Sequence, residues 1–186
     1  GIKRQRVACR GLDDIAGMLR DVGKLTGREA EGRELAASLE LRLLELRAME
    51  APSHRPKVFA EIWHDPMTTI GAGTFLSDLI LLAGGQSVGD GSRCDYYQIS
   101  PERVLVSDPD VVLCLYMGKG EGAADALKAR PGWQHLKAVR AGTVYDGLDN
   151  DILLRPGPRV LEGVELLRKC VASEVAADEG TSGHEL

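Results

Sequence analysis

The 186-residue sequence lacks several features that would assign a protein to a class at once. It has no run of about 18 apolar residues, which a membrane-spanning helix needs. It also has no basic excess, because 23 Lys and Arg stand against 28 Asp and Glu, for a formal charge of −5. Proteins that bind nucleic acid normally carry the opposite balance. We therefore expect no nucleic-acid partner.

Catalytic and metal-binding motifs are also absent from the sequence. Its cysteines, Cys9, Cys94, Cys114 and Cys170, form no CxxC pair, so neither a zinc ribbon nor a thioredoxin-type site is indicated. There is no G-x-S-x-G motif, no Cys/His pair in a recognisable context and no close pair of carboxylates in a glycosidase-like setting. We therefore expect no catalytic residue, no metal site and a binding protein rather than an enzyme. The spacing leaves any disulfide pairing open, and Cys114, inside an apolar run, is expected to be a core thiol.

What the sequence does contain is a regular alternation of elements. Residues 11–25 and 28–49 are amphipathic and predict one long helical stretch with at most one kink, near Gly27. From residue 57 the order becomes β-α-(β)-α-β-α-β-α, and the run 111–116 has the continuous apolar character of a strand covered on both faces. The pattern predicts an α/β fold with a Rossmann-like parallel sheet flanked by helices. Ligands of such sheets bind beyond the carboxyl ends of the strands.

One of the loops expected there contains two adjacent tyrosines. Tyr96 and Tyr97 lie among Gly, Ser and Asp residues in a chain with only two Trp, four Tyr and two Phe. Such a pair indicates a surface for stacking or hydrogen bonding to a ligand. The alternative is that one tyrosine packs inside the protein and the other is exposed without a role.

A second loop, at residues 146–158, holds an arginine on a stiff backbone. Arg155 is followed by Pro156-Gly157-Pro158, directly before a predicted helix. A rigid guanidinium suits a carboxylate, amide or phosphate of a ligand. A salt bridge from Arg155 to Asp149 or Asp151 is the alternative.

Two weaker signals lie in the loop 63–73. His64 precedes Asp65, but neighbours on an extended chain point in opposite directions, so an exposed or hydrogen-bonded histidine is favoured over a metal ligand. Gly71-x-Gly73 precedes a helix but meets neither nucleotide fingerprint, so a turn is favoured. A small cytosolic α/β enzyme or nucleotide-binding domain remains an alternative, and an interaction module built on the charged helix is a third.

Three segments that follow the long helix, taken in order, resemble a known family. They are VFAEIWHDPMTTIGAGTFLSDLILLAGG at 58–85, YYQISPERVLVSDPDVVLCL at 96–115 and DILLRPGPRVLEGVELL at 151–167. They resemble the solute-binding proteins of ABC importers for vitamin B12, ferric siderophores and haem, which have two α/β lobes joined by a long helix. The resemblance implies four parts: a remnant strand of the N-terminal lobe at 1–11, the connecting helix at 12–50, the C-terminal α/β lobe at 57–175 and a disordered tail at 176–186.

The resemblance also implies a function. The protein would bind an iron complex (ferric siderophore or haem) or cobalamin in the cleft between two lobes and dock on an ABC permease in the membrane. The ligand is then itself a metal complex, and no cofactor is implied. The full-length protein would be periplasmic or otherwise extracytoplasmic, anchored as a lipoprotein. In this chain, a helix face that normally meets the N-terminal lobe would be exposed and would favour self-association.

The family pattern can be carried over to single positions. Tyr96 falls where vitamin B12-binding members place a stacking aromatic, and Glu102 falls at the glutamate that docks onto arginines of the permease. The expected ligand-binding residues are Trp63, Tyr96, Tyr97, Asp151 and Arg155. Haem would need an axial donor, which Tyr96, Tyr97 or His64 could supply, whereas a siderophore would use Arg155 against its polar or anionic groups.

Overall fold

A six-stranded mixed sheet is organised around one strand, β1 (Lys57–His64). β1 pairs in parallel with β5 (Val111–Cys114), which pairs in parallel with β6 (Val144–Tyr145). β1 also pairs in parallel with β3 (Gln86–Ser87) and antiparallel with β2 (Met67–Ile70), which pairs antiparallel with β4 (Tyr96–Gln98). The computed structural model describes residues 9, 11–49, 52–116 and 122–181.

Helices surround this sheet, and short 3₁₀ turns at Val88–Gly91 and Trp133–His135 complete the connections. The helices of the described residues are α1 (Leu12–Thr26), α2 (Glu29–Ala48), α3 (Phe75–Leu82), α4 (Pro101–Ser107), α5 (Ala123–Lys128), α6 (Lys137–Ala141), α7 (Asn150–Leu153) and α8 (Val160–Thr181).

The core lies on both faces of the sheet. Successive residues of β5 alternate between two apolar clusters: Val111 and Leu113 face the cluster formed with α1, α2, α3 and α8, whereas Val112 and Cys114 face α5, α6 and Trp133. All residues of β5 are buried, which confirms the predicted strand covered on both faces. The α/β fold with helices flanking the sheet is likewise confirmed.

The sheet contains the predicted parallel strands, but β2 and β4 add antiparallel pairs to it. Residues 63–73, expected to form a loop, contain β2, and the 91–98 loop contains β4. Asp65 and Pro66 alone connect β1 to β2, with Trp63 opposite Thr68 and His64 opposite Met67. So short a connection permits only an antiparallel pair, since a parallel one needs a crossover of a dozen residues or more.

The single long helix predicted for 12–50 is instead a helical hairpin. Gly27 ends α1 in the left-handed conformation, at φ 72°, and the chain reverses there. Arg47 near the end of α2 bonds Asp13 near the start of α1 at 2.8 Å (Nη1 to Oδ1), so the helices are antiparallel. They meet closely at Gly23 and Gly32, where a Cβ on Gly32 would lie 3.0 Å from the Cα of Gly23. The sequence pattern finds the helices but not the reversal.

The other predicted boundaries fall partly within the described residues. α8 continues to Thr181, whereas the sequence predicts that a disordered tail begins at 176. The helix formers Ala176, Ala177 and Glu179, which follow Val175, favour this extension. Residues 182–186, and residues 1–8 and 10 of the predicted remnant strand, lie outside the described residues.

Candidate functional site at the carboxyl edge of the sheet

The carboxyl ends of β1 and β5 place three aromatic rings in a row. Trp63 is 44% exposed, and its indole N–H donates to the carbonyl of Asp65 at 2.9 Å, which fixes the ring. The His64 ring lies between those of Trp63 and Tyr116, with centroids 5.3 Å and 5.5 Å away. Parallel pairing of β1 with β5 produces this row, since it brings the ends of both strands to one edge.

A polar link joins this row to the short helix α7. The Asn150 amide donates to the carbonyl of Tyr116 at 3.0 Å. Asp149 caps α7, because its carboxylate accepts the backbone N–H groups of Asp151 and Ile152. Asp151, in the first turn of α7, is thereby held near the carboxyl end of β5.

Arg155 and Asp151 form an exposed ion pair. Their side chains are 69% and 61% exposed, and Nη1 of Arg155 lies 3.2 Å from Oδ1 of Asp151. Both line an open cavity of about 290 Å³ with Pro156 and Arg159. The predicted salt bridge therefore exists, but a single contact in water leaves most of the guanidinium donors available to a ligand.

The two tyrosines of β4 point in different directions, as neighbours on a strand must. Tyr96 is 56% exposed and lines a cavity of about 120 Å³ with Phe75, Leu154 and Pro156. Tyr97 packs against the cluster around Trp133, and its phenol O–H donates to the carbonyl of Gly89 at 3.4 Å. The alternative in which only one tyrosine is exposed therefore describes this strand.

Pro156 lines both cavities, so the cavity that Tyr96 lines adjoins the one that Asp151 and Arg155 line. Burial, and secondarily the charge of Asp95, raise the pKa of Tyr96, so its phenol is protonated and can donate a hydrogen bond at neutral pH. Trp63 lines neither cavity and connects to Asp151 through His64, Tyr116 and Asn150. The ligand-binding role of all these residues stays a prediction.

Glu102 lies apart from this surface, in the first turn of α4. Ser100 caps α4 and Pro101 is its first residue, as the sequence predicts. The backbone N–H of Glu102 itself, and then the hydroxyl of Ser100, hold the pKa of this exposed carboxyl below its usual value. Glu102 therefore presents a full negative charge to the solvent at neutral pH.

Sequence reasoning missed a buried ion pair beneath the aromatic row. The carboxylate of Glu61 is fully buried and accepts two hydrogen bonds from Arg130, at 2.7 Å and 2.9 Å. The guanidinium also lies 4.7 Å from the ring centre of Trp133 and donates to the Tyr116 phenol at 3.4 Å. Burial, with the nearby charge of Glu61, raises the pKa of Tyr116. One acidic residue inside the apolar strand VFAEIW was the available signal for such a pair.

The amides of Gly71 and Ala72, at the start of the Gly71–Gly73 turn, are bonded within the protein and not free for a phosphate. The N–H of Gly71 donates to the carbonyl of Asp95, and that of Ala72 to the carbonyl of Ser92, both at 2.9 Å. Gly71 also packs so tightly that a Cβ there would lie 1.8 Å from the carbonyl oxygen of Cys94. The turn thus joins β2 to α3 and supports the loop that carries Tyr96, as the non-nucleotide interpretation predicts.

The described residues contain neither a cluster of metal ligands nor a membrane-spanning helix. No three His, Cys, Asp or Glu side chains among them are grouped to hold a metal ion. None of the helices in the described part of the chain is long and apolar enough to cross a bilayer. All four cysteines are free, and Cys114 is a buried core thiol as predicted.

Among curated proteins, the chain is similar to substrate-binding proteins of transporters. An uncharacterised ABC transporter substrate-binding lipoprotein of Bacillus subtilis, YvrC, is 27% identical over 154 residues, which are 81% of this chain and 47% of that protein. The vitamin B12-binding protein of Vibrio cholerae is 30% identical over 155 residues, 83% of this chain and 54% of that protein. The chain therefore spans about half the length of the curated relatives it matches.

Solved structures show the same likeness. The periplasmic vitamin B12 binding protein BtuF of Vibrio cholerae superposes with a TM-score of 0.76 at 27% identity, over 94% of this chain and 67% of that one. The periplasmic haem-binding protein RhuT of Roseiflexus sp. RS-1 superposes with a TM-score of 0.71 at 26% identity, over 90% and 64%. These relatives are binding proteins and not enzymes.

A match to one protein family extends over most of the chain. Residues 4–150 match the family described as periplasmic binding protein. This range contains the helical hairpin and the whole sheet, together with Tyr96 and Glu102, and it ends at Asn150, directly before Asp151. The chain belongs to the periplasmic binding protein family.

Proposed function

We propose that this chain is part of the substrate-binding component of an ABC importer for a metal chelate: cobalamin, haem or a ferric siderophore. The observation that carries the proposal is the exposed ring of Tyr96 in a cavity that adjoins the one lined by Asp151 and Arg155, in a chain of this family. Relatives that bind vitamin B12 and haem support this ligand class.

The chemistry of the surface fits a large chelate better than a small polar solute. The Tyr96 ring, with Phe75 and Pro156 beside it, offers an apolar face for stacking on a macrocycle. Arg155 lies within reach of an acidic or amide group at the edge of such a ligand. Trp63, at the other end of the aromatic row, would contact a ligand wide enough to span the carboxyl edge of the sheet. In this proposal Tyr97 supports Tyr96 from the core rather than touching the ligand.

The permease is the proposed protein partner. Periplasmic binding proteins of ABC importers work with a membrane permease, and Glu102 supplies an exposed, ionised carboxylate for arginines on it. The lipoprotein anchor proposed for the full-length protein has a parallel in the relative YvrC. The hairpin at 12–48 is proposed to connect this lobe to a second one.

A related proposal concerns the exposed face of α2. Leu41 and Leu44 are 58% and 66% exposed, and we propose that this chain by itself associates through them. Light scattering on a Leu41→Glu/Leu44→Glu double variant should give a monomer where the parent chain gives a larger species. A monomeric parent chain would refute the proposal.

Calorimetric titration of the full-length protein tests the main proposal. Cyanocobalamin, haemin and a ferric hydroxamate are titrated in turn, and one of them should bind with micromolar or tighter affinity. Tyr96→Ala and Arg155→Ala should each weaken that ligand at least tenfold, whereas Val106→Ala, at a position 85% exposed on α4, should leave it unchanged. Failure of all three ligands would overturn the proposal.

The docking role of Glu102 needs a different measurement. Glu102→Gln should lower the rate of uptake by the assembled importer and leave ligand affinity unchanged, since the residue lies outside the Tyr96–Arg155 surface. Glu34→Gln, an exposed glutamate on α2, is the matched control. Equal uptake by the two variants would exclude Glu102 from docking.

A further inference from the structure

An apolar groove lies at the opposite end of β1 from the candidate site. It encloses about 560 Å³ between the end of α2, the segment 52–56, the end of α3 and α8. Pro56, in its wall, precedes β1, whereas Trp63 lies seven residues further along, roughly 23 Å at the rise of an extended strand. The groove is therefore separate from the carboxyl edge and has no part in the proposed function.

The walls of the groove are largely aliphatic, from Leu46 of α2, Pro52 of the connection, Leu81 and Leu82 of α3 and Val171 of α8. Leu81 is 52% exposed, so part of this apolar surface faces water in the chain as it stands. The volume lies within the range of about 300–1,000 Å³ that is usual for small-molecule sites. This size favours one small ligand over a peptide or a membrane surface.

Three arginines line the groove. Arg47 is paired with Asp13, whereas Arg55 and Arg168 form a positive rim. Arg55 donates from Nη1 to the carbonyl of Leu81 at 2.9 Å, and Arg168 donates from Nη2 to that of Leu82 at 3.3 Å. These bonds hold the guanidiniums at the end of α3, and each leaves other N–H groups for a further acceptor. Among the described residues, no acidic side chain lines the groove, and Arg55 and Arg168 have no ion-pair partner.

We propose that this groove binds a small aliphatic carboxylate, with its chain against the leucines and its head on Arg55 and Arg168. Apolar walls favour burial of a hydrocarbon chain. Guanidinium groups that are already fixed by backbone bonds lose little freedom when they take a carboxylate. A neutral ligand with the same hydrocarbon chain would give the two arginines no carboxylate to bind. A cationic ligand would be repelled by them.

Calorimetry of the 186-residue chain with sodium decanoate, below its micelle concentration, tests the proposal. We expect saturable binding at one site, with decanol at least tenfold weaker and decyltrimethylammonium weaker still. Equal binding of decanol and decanoate would overturn the role of the arginines. The proposal as a whole would be overturned if decanoate showed no saturable binding. It would also be overturned if the chain bound anionic phospholipid vesicles but not decanoate.

Variants locate the site. Leu81→Asp should weaken decanoate at least tenfold, and Arg168→Gln at least fivefold, with circular dichroism checking that each stays folded. Because Leu81 is half exposed, Leu81→Asp is expected to stay folded. It therefore still tests the groove if Arg168→Gln unfolds. Val106→Asp, at an exposed apolar position outside the groove, should bind decanoate like the parent chain. Unchanged binding by Leu81→Asp would place the ligand elsewhere and overturn the assignment.

Discussion

Two arginine–carboxylate pairs near the carboxyl edge of the sheet are built in opposite ways. Arg130 makes two short bonds to Glu61, whose side chain is fully buried, and its guanidinium lies over Trp133. Arg155 makes a single 3.2 Å contact with Asp151, and both side chains are more than half exposed. The first pair lies beneath the aromatic row, and the second lies on the open surface beside Tyr96.

The difference separates the scaffold from the candidate ligand surface. A buried carboxylate loses its hydration and stays ionised only if its partner is fixed in place, so the Glu61 pair ties β1 rigidly to the segment after α5. An exposed pair contributes little to stability because water screens it. Arg155 can therefore exchange Asp151 for a ligand at small cost, whereas Arg130 has no such freedom.

Removal of the buried guanidinium should have the largest effect. Arg130→Ala leaves the buried carboxyl group of Glu61 without its partner and should lower the free energy of unfolding by about 3–5 kcal/mol. Urea denaturation measures the change. The double variant Glu61→Gln/Arg130→Met should lose less than Arg130→Ala alone, because no buried charge remains. A loss below about 1 kcal/mol for Arg130→Ala would abolish the distinction between the two pairs.

The turn that supports the tyrosine loop should come next. Gly71→Ala places a Cβ 1.8 Å from the Cys94 carbonyl oxygen, so the backbone must shift. We expect a loss of about 1–3 kcal/mol in the same denaturation experiment. Gly17→Ala is the matched control, since a Cβ at this α1 position meets nothing within 4 Å, and it should be neutral or slightly stabilising. Equal effects of the two changes would show that the packing at Gly71 is not essential.

Alkaline pH should lower the stability of the fold through Cys114, which lies opposite Glu61 in the paired strands β5 and β1. Burial, and secondarily the charge of Glu61, raise the pKa of Cys114 from 9.0 to about 12. Between these values the unfolded chain releases the thiol proton and the folded chain keeps it, so stability falls as the pH rises. The free energy of unfolding should drop by up to about 1.4 kcal/mol per pH unit above pH 9.

Comparison with Cys114→Val isolates this contribution. Denaturation of both proteins at pH 8, 9 and 10 should give a shallower decline for the variant, since its side chain has no proton to release. Parallel declines would assign the alkaline sensitivity to other groups.

The exposed pair should give the smallest effect on stability. Arg155→Ala should change the free energy of unfolding by less than about 1 kcal/mol, because an exposed ion pair is screened by water. Thermal and urea denaturation both measure it. A loss comparable to that of Arg130→Ala would mean that Arg155 is part of the scaffold, and the comparison would fail.

Local signals in the sequence predicted the elements that local chemistry controls. Ser100-Pro101 marks the start of α4 because a hydroxyl cap and a proline fix a helix terminus without help from elsewhere. The run at 111–114 is a strand buried on both faces, as its apolar continuity indicates. The reversal at Gly27 and the short strand β2 escaped prediction, since each depends on two neighbouring elements folding back and packing against each other.

The residues of the candidate site could be predicted in the same way, but their arrangement could not. Arg155 stands out in the sequence because prolines stiffen the chain after it, and Tyr96 stands out because aromatic residues are scarce. The adjoining cavities that share Pro156 were not readable, since loops that lie far apart in sequence build them. The Glu61–Arg130 pair joins residues 69 positions apart, beyond the reach of periodicity or spacing.

The sequence by itself determined the α/β class and the family, because these follow from the order of apolar segments, caps and short motifs. Only the tertiary structure decided which tyrosine faces the solvent, which arginine is buried and where the helices turn back. The physical reason is that burial belongs to the packed molecule: a side chain has a partner, a shifted pKa or an exposed face only after distant segments meet.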